Sequence, residues 1–129
     1  MGELHPNAEI VLSGFQAFDQ GDMAAMKEVM ADDVSWHSSG RNKFAGTYQG
    51  LDSVLQLFGD ISAEAQIEQN LHAVLADDEH VVVLVKSTLT RGDKSLESQD
   101  IGTFHVSDGK VTEAWFTSFD DYAGDAFWE

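Results

Sequence analysis

Ala8, Val11, Leu12, Phe15 and Phe18 recur at spacings of three and four residues, so one helical face collects them. Pro6 stands at the first turn, where a backbone N–H would have no partner anyway. Gln20-Gly21 ends this helix and Asp22 is placed to cap a second one. Met23, Met26, Val29 and Met30 are predicted to line the buried side of that second helix, and Asp32-Asp33 to stop it. Val34 to His37 then reads as a short strand, Ser38-Ser39-Gly40 as a turn, and residues 41–50 as mostly loop. Helical spacing returns at Leu51, Val54, Leu55, Phe58 and Ile61.

From about residue 65 the period shortens to two. Candidate strands cover Gln66 to Leu75, Val81 to Arg91, Ser95 to Val106 and Lys110 to Phe119. The breaks are Asp77-Asp78, Arg91-Gly92-Asp93 and Ser107-Asp108-Gly109. The last two suit hairpins, because Gly and Asp accept positive φ there. Helices first and consecutive hairpins later predict an α+β fold with a curved, mostly antiparallel sheet. With no linker or repeat, residues 1–129 read as a single domain.

Composition narrows the function. Seven Lys and Arg oppose 23 Asp and Glu, a formal net charge of -16. That balance argues against nucleic acid, whose affinity comes from basic groups on phosphates, and against an anionic membrane surface. Cysteine is absent, which removes disulfides and thiolate chemistry. The opening Met1-Gly2-Glu3-Leu4-His5-Pro6 has neither a basic region nor a long apolar stretch, and Val81 to Val85 is the longest aliphatic run. These features point to a cytoplasmic protein. No nucleotide-binding, nucleophile-elbow or zinc-protease motif occurs, and the five histidines lack metal-ligand spacing, so neither a metal nor a cofactor is expected.

Several local words occur in a telling order. They are Phe15-x-x-Phe18-x-x-Gly21-Asp22, Asp33-Val34-x-Trp36 followed by Gly40, and Gly46-x-Tyr48-x-Gly50-x-x-x-Val54. Phe104-x-Val106-x-Asp108-Gly109-Lys110-Val111-x-Glu113-x-Trp115 and Phe119-Asp120 complete the series. Together they resemble the SnoaL-like branch of the nuclear transport factor 2-like superfamily, over nearly the whole chain. The resemblance implies a sheet wrapped around about three helices as a cone, often enclosing an apolar pocket and often dimeric through the outer face. That superfamily holds ketosteroid isomerases, polyketide cyclases, epoxide hydrolases, dehydratases and non-catalytic binding or association domains, so fold alone does not choose.

Candidate site residues follow from the resemblance and from strand parity. SnoaL-type cyclases carry an acid/base aspartate near the end of the last strand, which falls on Asp120, in period two with Phe116 and Ser118. The competing reading is that Asp120 caps the strand exit in water, heading a solvated acidic tail of Asp121, Asp125 and Glu129 that Phe127 and Trp128 anchor. Matching Gly40 to the glycine after the isomerase base places His37 on that base. His105 lies fifteen residues before Asp120, near the spacing of the cyclase histidine; an outward-facing structural role competes. The isomerase oxyanion tyrosine falls on Gly14 and its aspartate on Ile101, with Asp100 expected on the opposite face, which argues against true ketosteroid isomerisation. An epoxide hydrolase would need an arginine between two aspartates, and only Arg41 and Arg91 exist.

The expected ligand is small and apolar or polycyclic. Phe15, Phe18, Phe58 and Phe116 would form the pocket floor, Trp36 and Tyr48 the mouth, with room beside Ser118 and Trp115 also near the interior. Two functions stay open: cofactor-independent acid–base catalysis of the cyclase or isomerase type on a polyketide- or steroid-like substrate, and a non-catalytic ligand-binding or association domain. A homodimer through the convex sheet face is expected, with Thr88, Thr90, Glu97 and Gln99 making the contact partly polar.

Overall fold

The computed structural model describes residues 4–129. The reading of the opening segment rests partly on Met1-Gly2-Glu3, which lie outside the described residues. The elements run α1 (Pro6–Gln20), α2 (Met23–Val29), β1 (Met30–Ser38), β2 (Gly46–Gln49), α3 (Leu51–Glu64), β3 (Gln66–Ala76), β4 (His80–Arg91), β5 (Lys94–Ser107), β6 (Lys110–Ser118) and α4 (Asp121–Trp128). Six strands form one sheet in the order β2-β1-β6-β5-β4-β3. Neighbours are antiparallel except β1 and β6, which run parallel.

Local chemistry sets the boundaries. Pro6 lies at the start of α1, the His5 ring accepts the Asn7 N–H, and Gly21 closes the helix at φ 66°. The Asp22 carboxylate accepts the Ala25 N–H to open α2. Asp108 and Gly109, at φ 53° and 77°, make the β5–β6 turn. The inward set on β4 is odd-numbered, with Val81, Val83 and Val85 buried, and on β5 it is even-numbered, with Phe104 and Val106 buried. Register breaks between Leu71 and Ala73, His105 and Val106, and Met30 and Ser35 bend the sheet, and its concave side closes on α1 and α3.

Four readings of the pattern are corrected. Met30 is not on the second helix: its backbone is already extended and it is buried as the first residue of β1. Met23, at the exposed start of α2, is 39% accessible. Residues 46–49 are an edge strand on β1, too short at four residues for a period to show. The acidic tail is a fourth helix. The Asp120 carboxylate caps it by accepting the Ala123 N–H at 3.2 Å, and Phe127 is buried.

Two clips hold α4. The Asp125 carboxylate accepts the backbone N–H groups of Arg41 and Asn42 and the Asn42 side-chain amide, at 2.9, 3.1 and 2.9 Å. These donors, the Arg41 N–H foremost, hold the Asp125 carboxyl below the usual aspartate range. Gly40 is required beside it, because a Cβ there would lie 2.6 Å from an Asp125 oxygen and φ is +95°. At the other end Arg91 donates to the carbonyls of Phe127 and Glu129 at 3.1 and 3.0 Å, and Lys94 to that of Glu129 at 3.0 Å. Cations suit the negative end of a helix.

Asp125→Ala should therefore release the Gly40 turn and α4 together. Amide hydrogen exchange across residues 121–128 should accelerate while the β4–β5 core stays protected. Unchanged exchange in α4 would mean that the Arg91 and Lys94 contacts suffice.

Candidate functional site

Along most of its inward face the sheet is apolar, as its contact with helices requires. One row departs from this. Gln69 on β3 stands opposite Ser87 on β4, Ser87 opposite Ser98 on β5, and Asp100 opposite Ser118 on β6. On β1 Ser38 stands opposite Phe116, one inward position from Ser118, and its hydroxyl accepts the Trp36 indole N–H at 3.2 Å. All of these line one cavity of about 220 Å³ inside the cone.

Asp100 is the buried carboxyl of the row, 7% exposed. Ser98 Oγ donates to its Oδ1 at 2.7 Å and Ser87 Oγ to its Oδ2 at 3.1 Å. Burial pushes its carboxyl above the usual aspartate range; the hydroxyls of Ser98, Ser87 and Ser118 oppose the rise and the charge of Asp121 adds to it. Asp121 is half-buried and also lines the cavity. Ser39 Oγ donates to it at 2.7 Å and accepts the Ser118 N–H at 3.2 Å. Among the described residues no Lys, Arg or His lines this cavity.

The floor is aromatic. Trp36 meets Phe58 edge-on at 4.9 Å between centroids and lies 6.1 and 6.2 Å from Phe104 and Phe116. Phe18 packs on Phe58 at 5.4 Å and Phe15 on Phe104 at 6.0 Å. The cavity thus brings together Phe15, Phe18, Trp36, Phe58, Phe116 and Ser118 from the residues expected there. Trp36 sits in the floor rather than at the mouth.

The other expected residues lie elsewhere. Asp120 is exposed and its carboxylate is occupied as the cap of α4, so the placement of that side chain inside the cone is corrected. The parity argument fails because β6 ends at Ser118. There the chain turns, with Phe119 N–H donating to the Gln99 carbonyl, and Asp121 faces the cavity instead. The face assigned to Asp100 is likewise reversed, since β5 turns its even-numbered residues inward at this level. His37 is on the convex face, with Nε2 2.8 Å from Glu113, Nδ1 2.9 Å from Thr47, and its ring stacked on Trp115. His105 lies on the same outer face, 3.8 Å from Glu113 and edge-on to Trp115, so neither histidine nor Trp115 reaches the interior. Tyr48 faces a separate shallow groove beside Asp52 and Asp60, and its hydroxyl donates to the Phe44 carbonyl at 3.0 Å. Burial, with Asp60 nearby, pushes the Tyr48 phenol up.

Neither cavity carboxylate had been chosen from the sequence. The available cue for Asp100 was the alternation Leu96, Ser98, Asp100, Gly102, Phe104, in which an acid shares parity with core residues. Arg91 and Arg41 attach to α4 and its neighbouring turn, outside the cavity, so no arginine stands between the two aspartates. Among the described residues no cluster of three or more His, Asp or Glu could hold a metal ion.

A curved six-stranded sheet closed by helices over a lined cavity defines the cone of the nuclear transport factor 2-like proteins. Within that class the chain belongs to the SnoaL-like domain family, whose model matches residues 11–114. It is similar to the structure of Bal32a from a soil-derived mobile gene cassette, at 32% identity and a TM-score of 0.92, covering 96% of this chain and 97% of that one. A nuclear transport factor 2-like protein from Burkholderia xenovorans shares the fold at 24% identity and a TM-score of 0.89, covering 96% of each chain. An uncharacterised protein of Mycobacterium tuberculosis is 28% identical over 123 residues, 93% of this chain and 94% of that protein.

Asp100 makes stability depend on pH in a defined direction. Its folded pKa is raised, so its contribution is fully present below the unfolded pKa and is lost as pH rises through the folded value. Asp100→Asn removes that loss. The melting temperature of the variant minus that of the parent should rise with pH from the acid range and then level off. A difference that is flat, or that falls, would show that burial does not dominate this carboxyl.

Proposed function

We propose that this protein binds an uncharged apolar or polycyclic molecule in the cone and moves a proton on it without a cofactor. The observation that carries this is the 7% exposed Asp100 carboxyl in an aromatic cavity that a second carboxyl, Asp121, also faces. A protonated Asp100 donates a hydrogen bond to a ligand carbonyl and stabilises the enolate that forms when an adjacent carbon loses a proton. The half-buried Asp121 accepts that proton and can return it elsewhere on the same molecule. Polyketide- and steroid-like ketones fit this chemistry. Gly14 lies on the cavity wall where a tyrosine would add a second donor in a true ketosteroid isomerase, so enolate stabilisation rests on Asp100 and nearby hydroxyls.

One observation favours a second reading, a non-catalytic ligand-binding domain. Among the described residues every buried side-chain N or O atom has a hydrogen-bond partner, so Asp100 is satisfied before any ligand arrives. For association we propose a homodimer through the convex face. Leu75 is 58% exposed there, and Val82, Leu84, Ile101 and Trp115 are half-buried on the same side. Among the described residues no helix is long and apolar enough to cross a membrane.

Catalysis is read by exchange of the α-protons of β-tetralone in deuterated buffer. The parent should accelerate exchange over buffer, and Asp100→Asn should lower the enzymatic rate about 10²–10³-fold, the usual effect of losing one oxyanion donor. Asp121→Asn should also lower it, and Asp120→Asn should not. Binding without accelerated exchange would select the non-catalytic reading. For the dimer, sedimentation equilibrium at micromolar protein and physiological salt should give twice the chain mass, and Ile101→Arg should reduce it to the monomer. A monomeric parent would overturn the dimer.

A further inference from the structure

We infer that the cone selects ligands whose oxygen function lies in the middle of the molecule, between two apolar parts, and discriminates against isomers carrying it at one end. This rests on the small-molecule reading above and specifies its ligand class. The basis is the position of the polar row along the strands. On β3 the inward order is Ile67, Gln69, Leu71; on β4 it is Val85, Ser87, Leu89. On β5, Leu96 precedes Ser98 and Asp100, and Gly102 and Phe104 follow. The polar groups therefore form a belt, with apolar surface on both sides of it.

Both apolar zones belong to the same cavity. Ile67, Leu89 and Leu96 line it on one side of the belt, joined by Phe44, Ile61 and Trp128. The aromatic floor lines it on the other. Phe104 and the neighbouring valines of β4 are buried whereas Leu89 and Leu96 are only partly so, which makes the floor the deep end. A ligand lying along the strands must cross the belt. A carbonyl or hydroxyl placed midway meets Asp100, Ser87, Ser98 or Ser118, while its two apolar ends fill the two zones. With a terminal carbonyl, an isomer must either leave one zone empty or bury its oxygen against hydrocarbon without a partner, and an unpaired buried polar group is costly.

Charge sharpens the choice. The cavity carries two carboxyl groups and, among the described residues, no basic side chain. A terminal carboxylate or phosphate would bury its charge without a counterion, so fatty-acid-like ligands are rejected on two grounds. The belt also contains both donors and acceptors: Gln69 offers an amide, the serines offer hydroxyls, and Asp100 donates only when protonated. That combination suits a neutral oxygen rather than an ionised one.

The test compares three ligands by isothermal titration at physiological salt. Two are isomeric phenyl-alkanones, one with its carbonyl midway between the ring and the chain end, the other with a terminal acetyl group. The third is a phenyl-alkanoate of similar length. The midway isomer should bind at least about 10-fold tighter than the acetyl isomer, the size expected for one unpaired polar group, and the alkanoate should show no binding. Ser87→Ala with Ser118→Ala, shown to be folded by circular dichroism, should narrow the preference between isomers by weakening the midway ketone more than the acetyl isomer. Equal affinities, a preference for the acetyl isomer, or tight alkanoate binding would overturn the inference and leave the small-molecule site standing. Failure of all three to bind the folded parent would overturn the site itself, and the inference with it.

Discussion

The concave face of a sheet that closes on helices has to exclude water, and the rest of the molecule is arranged around that demand. Strand alternation delivers it cheaply, because every second residue turns inward and only those need be apolar. Val81, Val83, Val85, Phe104 and Ala114 obey the rule. The row from Gln69 to Ser118 breaks it across two neighbouring levels of the sheet, and it breaks it with partners in place: each oxygen of Asp100 receives a serine hydroxyl. A lone aspartate at that depth would be far costlier than one embedded in hydroxyls. The three serines therefore serve as the condition on which the carboxyl can be kept.

Much of the fold was legible because it repeats. The apolar periods of α1 and α3 and the turn residues at Gly92 and Asp108-Gly109 marked their elements without reference to the tertiary structure. The aromatic floor was legible for a similar reason, since large rings on inward or helix-face positions have few other places to go. What escaped was whatever depends on a single terminus of an element. Whether Asp120 or Asp121 faces the cavity turns on where β6 stops, and the helix cap made by the Asp120 carboxylate, which turns the chain there, leaves no trace in composition. The face of Asp100 was lost to counting from a family landmark rather than from Leu96 and Phe104 on its own strand. The α4 helix escaped because its hold comes from Arg91, Lys94 and the Gly40 turn, all remote in sequence.

The two sides of the sheet divide the polar chemistry. Inside, among the described residues, are hydroxyls, amides and carboxyls without a Lys, Arg or His. Outside, His37, His80, His105, Glu113 and Trp115 pack against one another on neighbouring strands. A histidine so placed contributes to the outer surface and to strand pairing, and the resemblance that drew attention to His37 and His105 concerned their order in the chain rather than the face they occupy.

The parallel pairing of β1 with β6 has a kinetic meaning. Strands β3 to β6 are joined by successive hairpins, so their pairing needs only short loops to close. Ser35 to Ser38, by contrast, pair with Glu113 to Phe116 from the far end of the chain, across a loop of more than seventy residues. Loop-closure entropy makes such distant pairing slow. Trp36 arrives with β1 and completes the ring contacts with Phe104 and Phe116. The cavity floor therefore depends on the pairing with the greatest sequence separation, whereas the meander depends on local hairpins: loop-closure entropy weighs on the enclosed cone and not on its scaffold.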